Sequence, residues 1–208
     1  NSYDLIYYEN KTGRFYHTNF TGTTESTREI AIERLSVEKH SFLLDSNYRA
    51  HIIDYSRTEN RIGYYQEYSD DEWLISSINM GEVLSPNSDP VICLALDRSN
   101  KPHILCASKE RKIYVISADN NPETPNWTFR EIVSSEIPII DCEIIFDEEN
   151  NLHIAWRDSE QLLHTSSDSD YSIITLLDTP YNPKIDDFYG PLNMALTSGN
   201  QVCVCYTI

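Results

Sequence analysis

Three segments of this chain superimpose without gaps: FLLDSNYRAHIIDY (42–55), LALDRSNKPHILCA (94–107) and IIFDEENNLHIAWR (144–157). Each is an apolar run ending in Asp, a short group of turn-type residues, then His-Ile and a second apolar run. The aspartates are Asp45, Asp97 and Asp147, and the histidines His51, His103 and His153 always follow six residues later. The repeat distance is 52 residues, then 50. Self-similarity at such a spacing marks a repeat architecture, and it decides the fold before any single motif is considered.

Outward from this phrase the rest of each unit repeats too. A polar turn leads to RIGYYQEY (61–68), KIYVISAD (112–119) or QLLHTSSD (161–168). A second polar gap leads to a strand opened by an aromatic: WLISSINM (73–80), WTFREIV (127–133) or YSIITLL (171–177). Before the first complete unit, YDLIYYENKTGRFYHTNF (3–20) supplies a second and third strand, and REIAIERL (28–35) the fourth. After the last, LNMALTSGNQVCVCYTI (192–208) opens a further unit, with Thr197 at the Asp position and Cys203 at the His position. Every segment alternates with a period of two, the signature of half-buried strands. The expectation is an all-β chain of four-stranded antiparallel units of about 50 residues, too small to bury both faces alone and therefore stacked radially as a β-propeller.

Unit boundaries fall near 1–36 (partial), 37–86, 87–136, 137–180 and 181–208 (partial), giving four to five blades, complete or as part of a ring. The strand total is one more than four closed blades need. That leaves a piece of a larger propeller, pairing of ends between molecules, or an open ring with covered edges, since a bare edge strand invites aggregation. A two-sheet β-sandwich is the competing all-β solution, but it gives no reason for one phrase to return at fixed intervals.

The unit around LALDRSNKPHILCASKERKIYV (94–115) resembles a propeller repeat of secreted and cell-surface proteins, whose consensus is roughly S-L-A-L-D-x-x-G-x-P-H-I-x-Y followed by L-x-Y-A and a Trp-led last strand. That repeat is related in architecture to the sialidase-like, Asp-box propellers. The resemblance covers nearly the whole chain, and only Lys101-Pro102-His103 keeps the Pro-His of the consensus. It implies a propeller and an extracellular or cell-surface setting. It implies no single activity, because such folds carry many.

The net charge is −17, from 33 acidic and 16 basic side chains. A field of that sign repels phosphate backbones and anionic lipid, so nucleic acid is not an expected partner. No apolar run approaches the about 20 residues that cross a bilayer, so membrane insertion is not expected either. The opening NSYDLIYYEN has neither the basic nor the apolar run of a secretory leader, as a mature secreted chain or an excised fragment would look.

The recurring Asp and His could suggest a metal or acid–base centre, but equivalent positions on different blades are spread around a ring. The residues are better read as structural, Asp45, Asp97 and Asp147 capping their turns, and His51, His103 and His153 packing with a ring nitrogen on a backbone group. A sialidase-type hydrolase needs converging arginines, a Tyr–Glu nucleophile and an acid. Arg14, Arg61 and Arg111 instead sit at hairpin turns, and SDDEW (69–73) is at most a shortened Asp-box. Acidic turns at 69–72, 147–151 and 167–170 raise calcium as the one cofactor to consider, yet none has the spacing of a calcium loop, and solvated turns explain them. No nucleotide or nucleophile-elbow motif occurs, so no cofactor is expected.

Pairing Leu96 with His103 across the first hairpin of that unit sets Cys93 opposite Cys106, a candidate disulfide. Tyr8, Tyr16, Tyr65, Tyr68, Trp73 and Trp127 are the aromatic candidates for stacking on a sugar or anchoring a protein. The favoured reading is a non-enzymatic recognition or adhesion module for a glycan or protein, with unpaired edge strands as a route to self-association. The alternatives are a sialidase-like glycoside hydrolase and a structural segment of a larger surface assembly. A lectin predicts equivalent pockets repeated from blade to blade, and an enzyme one pocket where arginines converge on a carboxylate.

Overall fold

The computed structural model describes residues 2–9, 14–30, 39–69, 72–81, 83–85, 89–108, 111–119, 121, 124–178 and 192–205. Among them are seventeen β-strands in five antiparallel sheets. The first sheet, here A, has three strands, β1 (Ser2–Glu9), β2 (Arg14–Thr21) and β3 (Thr24–Ile30). Sheet B has β4 (Lys39–Leu44), β5 (Ala50–Ser56), β6 (Arg61–Ser69) and β7 (Glu72–Asn79). Sheet C has β8 (Val91–Leu96), β9 (Pro102–Ser108), β10 (Lys112–Ala118) and β11 (Trp127–Ser134). Sheet D has β12 (Asp141–Phe146), β13 (Leu152–Arg157), β14 (Gln161–Ser166) and β15 (Ile174–Asp178). Sheet E pairs β16 (Asn193–Leu196) with β17 (Val202–Cys205).

Within each sheet the strands pair in sequence order, so every connection is a hairpin. The first strands of successive sheets, β4, β8, β12 and β16, lie against one another, and the outer strands fan away from them. Apolar side chains fill the gaps. Ile53, Tyr55 and Ile62 of B meet Ile92, Leu94 and Ile104 of C. The opposite face of C, with Leu105, Ile113 and Val115, meets Cys142, Ile144 and Trp156 of D. Ala155 and Leu162 of D then cover Leu192, Met194 and Val204 of E. Central strands are thus covered on both faces, and β13 is buried at all six positions. Removing this much apolar surface from water, at about 25 cal/mol per Å², is what each sheet gains from its neighbour.

The hairpin between β8 and β9 corrects the disulfide expectation. Its register pairs Ile92 with Cys106 and Cys93 with Leu105, one residue away from the alignment that opposes the cysteines. The cause is the loop Arg98–Ser99–Asn100, a three-residue turn closed by the Asp97 amide donating to the Lys101 carbonyl at 3.0 Å, with Asn100 left-handed at φ 61°. Three-residue loops of this kind place a residue with positive φ at their last position and shift the pairing accordingly. Cys93 and Cys106 therefore lie on opposite faces, and no disulfide joins them. Cys93 Sγ lies 3.0 Å from the carbonyl of Cys142 in the next sheet.

The fourth strand of sheet A also differs from its expected place at 28–35. β3 starts at Thr24, because Gly22 (φ 62°) makes a tight turn that pairs Thr21 with Thr24. Residues 31–35 of the expected strand lie outside the described residues. β15 likewise begins at Ile174 rather than Tyr171, since Asp170 and Tyr171 take positive φ in the preceding turn.

Sheet A is tied to B by charge. Both guanidinium nitrogens of Arg28 on β3 donate to the Glu67 carboxylate on β6, Nη2 to Oε2 at 2.9 Å, and the Ala50 amide donates to the same oxygen at 3.0 Å. Glu67 is 3% exposed. Burial raises its pKa, but the Arg28 and Ala50 donors outweigh burial and hold the carboxyl below its ordinary value. Arg28→Ala leaves that carboxylate buried with one amide donor. The expected loss of unfolding free energy is about 2 kcal/mol, under the usual range for a broken buried pair because Arg28 is itself one-third exposed. Urea denaturation at pH 7 measures it, and an unchanged midpoint would show that the A–B contact does not depend on this pair.

Candidate functional site

The repeated turn builds one rim of the molecule. In each copy the Asp Oδ1 accepts the backbone amides two and four residues on: Asp45 from Asn47 (2.7 Å) and Arg49 (2.9 Å), Asp97 from Ser99 (2.8 Å) and Lys101 (2.9 Å), Asp147 from Glu149 (2.9 Å) and Asn151 (2.7 Å). Thr197 Oγ1 repeats the pattern for Gly199 and Gln201. This side-chain cap satisfies two loop amides that no strand partner reaches, which is why Asp or Thr stands there. The third turn residue is left-handed in all four copies, at Tyr48, Asn100, Asn150 and Asn200. In the last copy it is Asn200, one beyond the glycine of Ser198-Gly199.

The histidines do not bond the backbone through their ring nitrogens as the sequence suggests. One nitrogen faces the turn Asp, with Nε2 to Oδ2 distances of 3.7 Å for His51–Asp45, 3.6 Å for His103–Asp97 and 3.3 Å for His153–Asp147. The other, Nδ1, meets a third-strand side chain: the Tyr64 hydroxyl at 2.7 Å, the Ser117 hydroxyl at 2.8 Å or His164 Nε2 at 3.2 Å. Burial lowers the His51 pKa to about 4 and outweighs the opposing pull of Asp45; burial lowers His103 in the same way. Burial likewise pushes the Tyr64 hydroxyl well above its ordinary value. Asp, His and third-strand partner thus brace the first two hairpins of sheets B, C and D. They occupy equivalent places on different sheets and form no single centre. Among the described residues no group of three or more His, Cys, Asp or Glu side chains could hold a metal ion.

The left-handed asparagines add a link that the sequence did not reveal. Asn100 Oδ1 accepts the Ser46 amide of the preceding sheet at 3.3 Å, Asn150 Oδ1 accepts the Arg98 amide at 2.9 Å, and Asn200 Oδ1 accepts the Glu148 amide at 2.7 Å. Turn is thereby clamped to turn from B to C to D to E.

Between these clamped turns lie two clefts. The B–C cleft, about 340 Å³, is lined from B by Asp45, Asn47, Arg49, Tyr64 and Gln66, and from C by Asn100, Lys101, Pro102, Ala118, Asp119, Asn121 and Pro125 among others. The C–D cleft, about 260 Å³, is lined by Val115, Ser117 and Arg130 of C and by Asn150, Leu152, Ser167 and Tyr171 of D among others. The strand registers make them equivalent. His51 pairs with Gln66 as His103 pairs with Ser117, so Gln66 and Ser117 correspond, as do Tyr64 and Val115. On the far wall Asn100 matches Asn150, and Pro102 matches Leu152. In the second cleft the Arg130 guanidinium carbon lies 4.6 Å from the Tyr171 ring centroid.

The aromatic residues singled out from the sequence are not gathered in either cleft. Tyr65 is 3% exposed and belongs to the packing of Ala50 and Ile52, with Trp73 against it, so neither offers an open ring to a ligand. Trp127 packs into the B–C interface, edge-on to Tyr64 at 5.2 Å, and lines a separate groove with Phe129. Tyr16 stacks on Tyr7 at 5.4 Å on sheet A. Tyr68 is exposed near the end of β6. The side chain of Tyr8 lies outside the described residues. What sequence reading missed are Arg49, Gln66 and Lys101. A signal was present for two of them: each stands four residues after a repeat Asp, where the backbone amide is held by the cap and the side chain is left to project.

No family model matches the chain, and no curated protein does. Solved structures do. The fucose-specific lectin of Aleuria aurantia matches with a TM-score of 0.59 at 12% identity, over 100% of this chain and 74% of the lectin. AofleA of Arthrobotrys oligospora matches at 0.56 and 10% identity, over 85% of this chain and 53% of that one. The NanB sialidase of Streptococcus pneumoniae matches at 0.58 and 15% identity, over 93% of this chain and 32% of the sialidase. The fold is a β-propeller. Sheets B, C and D are its four-stranded blades, and at these identities the likeness extends to the fold alone.

Proposed function

We propose that this chain is a non-enzymatic carbohydrate-recognition module that works outside the cell or at its surface, holding saccharides in the clefts between successive blades. The observation that carries this reading is the recurrence of one cleft position, B–C and C–D, with matching strand registers and one Asn clamp apiece. Repeated modest sites suit a lectin, which gains avidity by engaging several saccharides at once. Their walls mix side-chain amides and hydroxyls with Pro102, Pro125 or Leu152, the balance of hydrogen-bonding groups and apolar surface that a sugar ring meets. The fucose specificity of the Aleuria aurantia lectin agrees with the class of ligand.

A sialidase-like hydrolase fits less well. The cleft-lining arginines, Arg49 and Arg130, lie in different clefts, whereas acid–base cleavage of a glycoside needs its carboxyl groups and substrate clamps on one bond. On a glycan array the labelled protein is expected to bind a defined set of saccharides. A Gln66→Ala, Ser117→Ala double variant, folded by near-UV circular dichroism, should lose at least tenfold in apparent affinity. An array without signal, or one that the double variant reads unchanged, overturns the proposal; turnover of a fluorogenic sialoside would replace it with the hydrolase.

A further inference from the structure

The B–C cleft differs from its C–D counterpart in charge, and the difference points to a class of ligand. Most described cations of this acidic chain are spoken for. Arg14 pairs with Glu29, Arg28 with Glu67, Arg57 with Asp89, Arg61 with Glu59 and Lys112 with Glu131, while Arg130 lies over Tyr171. Arg49 and Lys101, one from each wall of the B–C cleft, have no side-chain hydrogen bond or ion pair among the described residues. The two carboxylates beside them are already engaged. Asp45 Oδ1 holds two amides and its Oδ2 faces His51; Asp119 Oδ1 holds the amides of Asn121 and Asn126 at 3.0 and 3.2 Å. Those two amides, the Asn121 one first, keep the Asp119 carboxyl below its ordinary value, and Lys101 acts on it only as a nearby charge.

From this we infer that the B–C cleft takes an anionic saccharide, one bearing a carboxylate or a sulfate, with Arg49 and Lys101 as its anion-binding pair. The inference rests on the glycan reading above and adds the charge of the ligand. Arg98 and Arg111 also lack a side-chain partner among the described residues, but Arg49 and Lys101 line one cavity together, which makes them the pair that an anion would meet in a molecule of net charge −17. A guanidinium offers a planar fork to a carboxylate or sulfate, and the lysine supplies a second, movable charge. The free Gln66 and Asn47 amides remain for hydroxyl groups, and Pro102 and Pro125 give the ring an apolar wall. No lysine is among the residues lining the C–D cleft, the residue at the Lys101 position of that blade being Asn151, which donates to Asp147, and the one lining arginine is already stacked, so that cleft has no such preference.

The test is titration calorimetry of the whole chain with methyl galactoside, galacturonic acid, galactose 6-sulfate, glucuronic acid and N-acetylneuraminic acid, at low and at high salt. Acidic sugars are expected to bind at least tenfold tighter than the neutral one at low salt, with the advantage shrinking as salt screens the pair. Galacturonic acid against galactose 6-sulfate separates the carboxylate from the sulfate source. Arg49→Gln and Lys101→Gln should each bring the acidic sugars down to the affinity of methyl galactoside, with the urea midpoint unchanged because neither side chain holds the fold. Equal binding of acidic and neutral sugars overturns this inference and leaves the lectin reading standing. So does an acidic preference that survives both substitutions, or binding of free acetate or sulfate as tight as that of the acidic sugar. If none of the acidic sugars binds, this inference falls, while the lectin reading is decided by the glycan array.

Discussion

Replacing Glu143 by glutamine is expected to raise the unfolding free energy by about 2–3 kcal/mol at pH 8 and to change it by nothing near pH 4. Glu143 sits on the inner strand of blade D, on the face turned toward β16. Its neighbours Cys142 and Ile144 point the other way, into blade C, while Asp141 on its own face accepts the Leu192 amide at 2.7 Å. Burial pushes the Glu143 carboxyl up to about 7, and Asp141 adds to the rise against one amide donor, that of Ile144. The unfolded chain titrates this group near 4.3. Above pH 7 the fold therefore carries a half-buried charge that the unfolded chain hydrates freely. As pH falls from 7 to about 4.3 the folded state binds a proton first, so wild-type stability rises across that window. Glutamine keeps the shape of the protonated acid and never carries the charge, so the variant holds its advantage at high pH and loses it in acid.

His51 works in the opposite sense over nearly the same range. Its folded pKa of about 4 lies below the unfolded value near 6.5, so the unfolded chain takes up the proton first. Stability from this group is complete above pH 6.5 and is lost as pH falls toward 4. His103, His164 and His40 are lowered by burial in the same direction. In the wild type the glutamate and the histidines offset one another. In the Glu143→Gln variant the loss below pH 6.5 stands alone. Urea titrations at pH 8, 6.5, 5 and 4.5 on both proteins give the answer, and two parallel profiles would mean that Glu143 is hydrated rather than buried.

The blade architecture was legible because its cause is local and repeated. An Asp that caps two amides of a turn, and a His that braces the next strand, recur as a phrase, and each phrase marks a hairpin that chain order alone places in its sheet. Register was not legible to the residue. The pairing of Cys93 depends on whether the loop after Asp97 closes on Lys101 with Asn100 left-handed, and asparagine gives a tendency to that conformation without a guarantee. Alternation also failed as a guide to exposure at Tyr65. It separates a wet face from a dry one, and a strand with a blade on either side has no wet face, as Ala50 through Tyr55 show by being buried without a break. The clefts were hidden for a third reason. Their walls come from residues about 50 positions apart, and the Asn clamp that sets their width joins a left-handed residue of one turn to an amide of another.

Gly63→Ala is expected to be the most damaging single methyl that can be added to blade B, costing about 4 kcal/mol. Gly63 has no left-handed backbone to excuse it, so the constraint is space. A Cβ there would stand 2.2 Å from Asp54 Oδ1, 2.7 Å from the Tyr65 hydroxyl and 2.9 Å from Tyr65 Cε2. Neither neighbour can yield cheaply. Asp54 is directly paired with Gly63 across β5 and β6 and is 3% exposed, and Tyr65 is locked among Ala50, Ile52 and Trp73. Burial first, then the Asp54 carboxylate, push the Tyr65 hydroxyl up to about 12, as expected of a phenol that donates to a buried anion. The added methyl must break that contact as well as overfill the space, which combines about 1–3 kcal/mol of overpacking with about 1.5–3 kcal/mol for a hydrogen bond to a charged group. At this chain length the loss corresponds to roughly 10 °C in Tm. Asp54→Ala removes the nearest clash, so the double variant Gly63→Ala, Asp54→Ala should be less destabilised than the two single losses added together, by about 1–2 kcal/mol. Strictly additive losses would show that the methyl is accommodated elsewhere and that the close approach of Asp54 and Tyr65 over Gly63 does not hold this blade together.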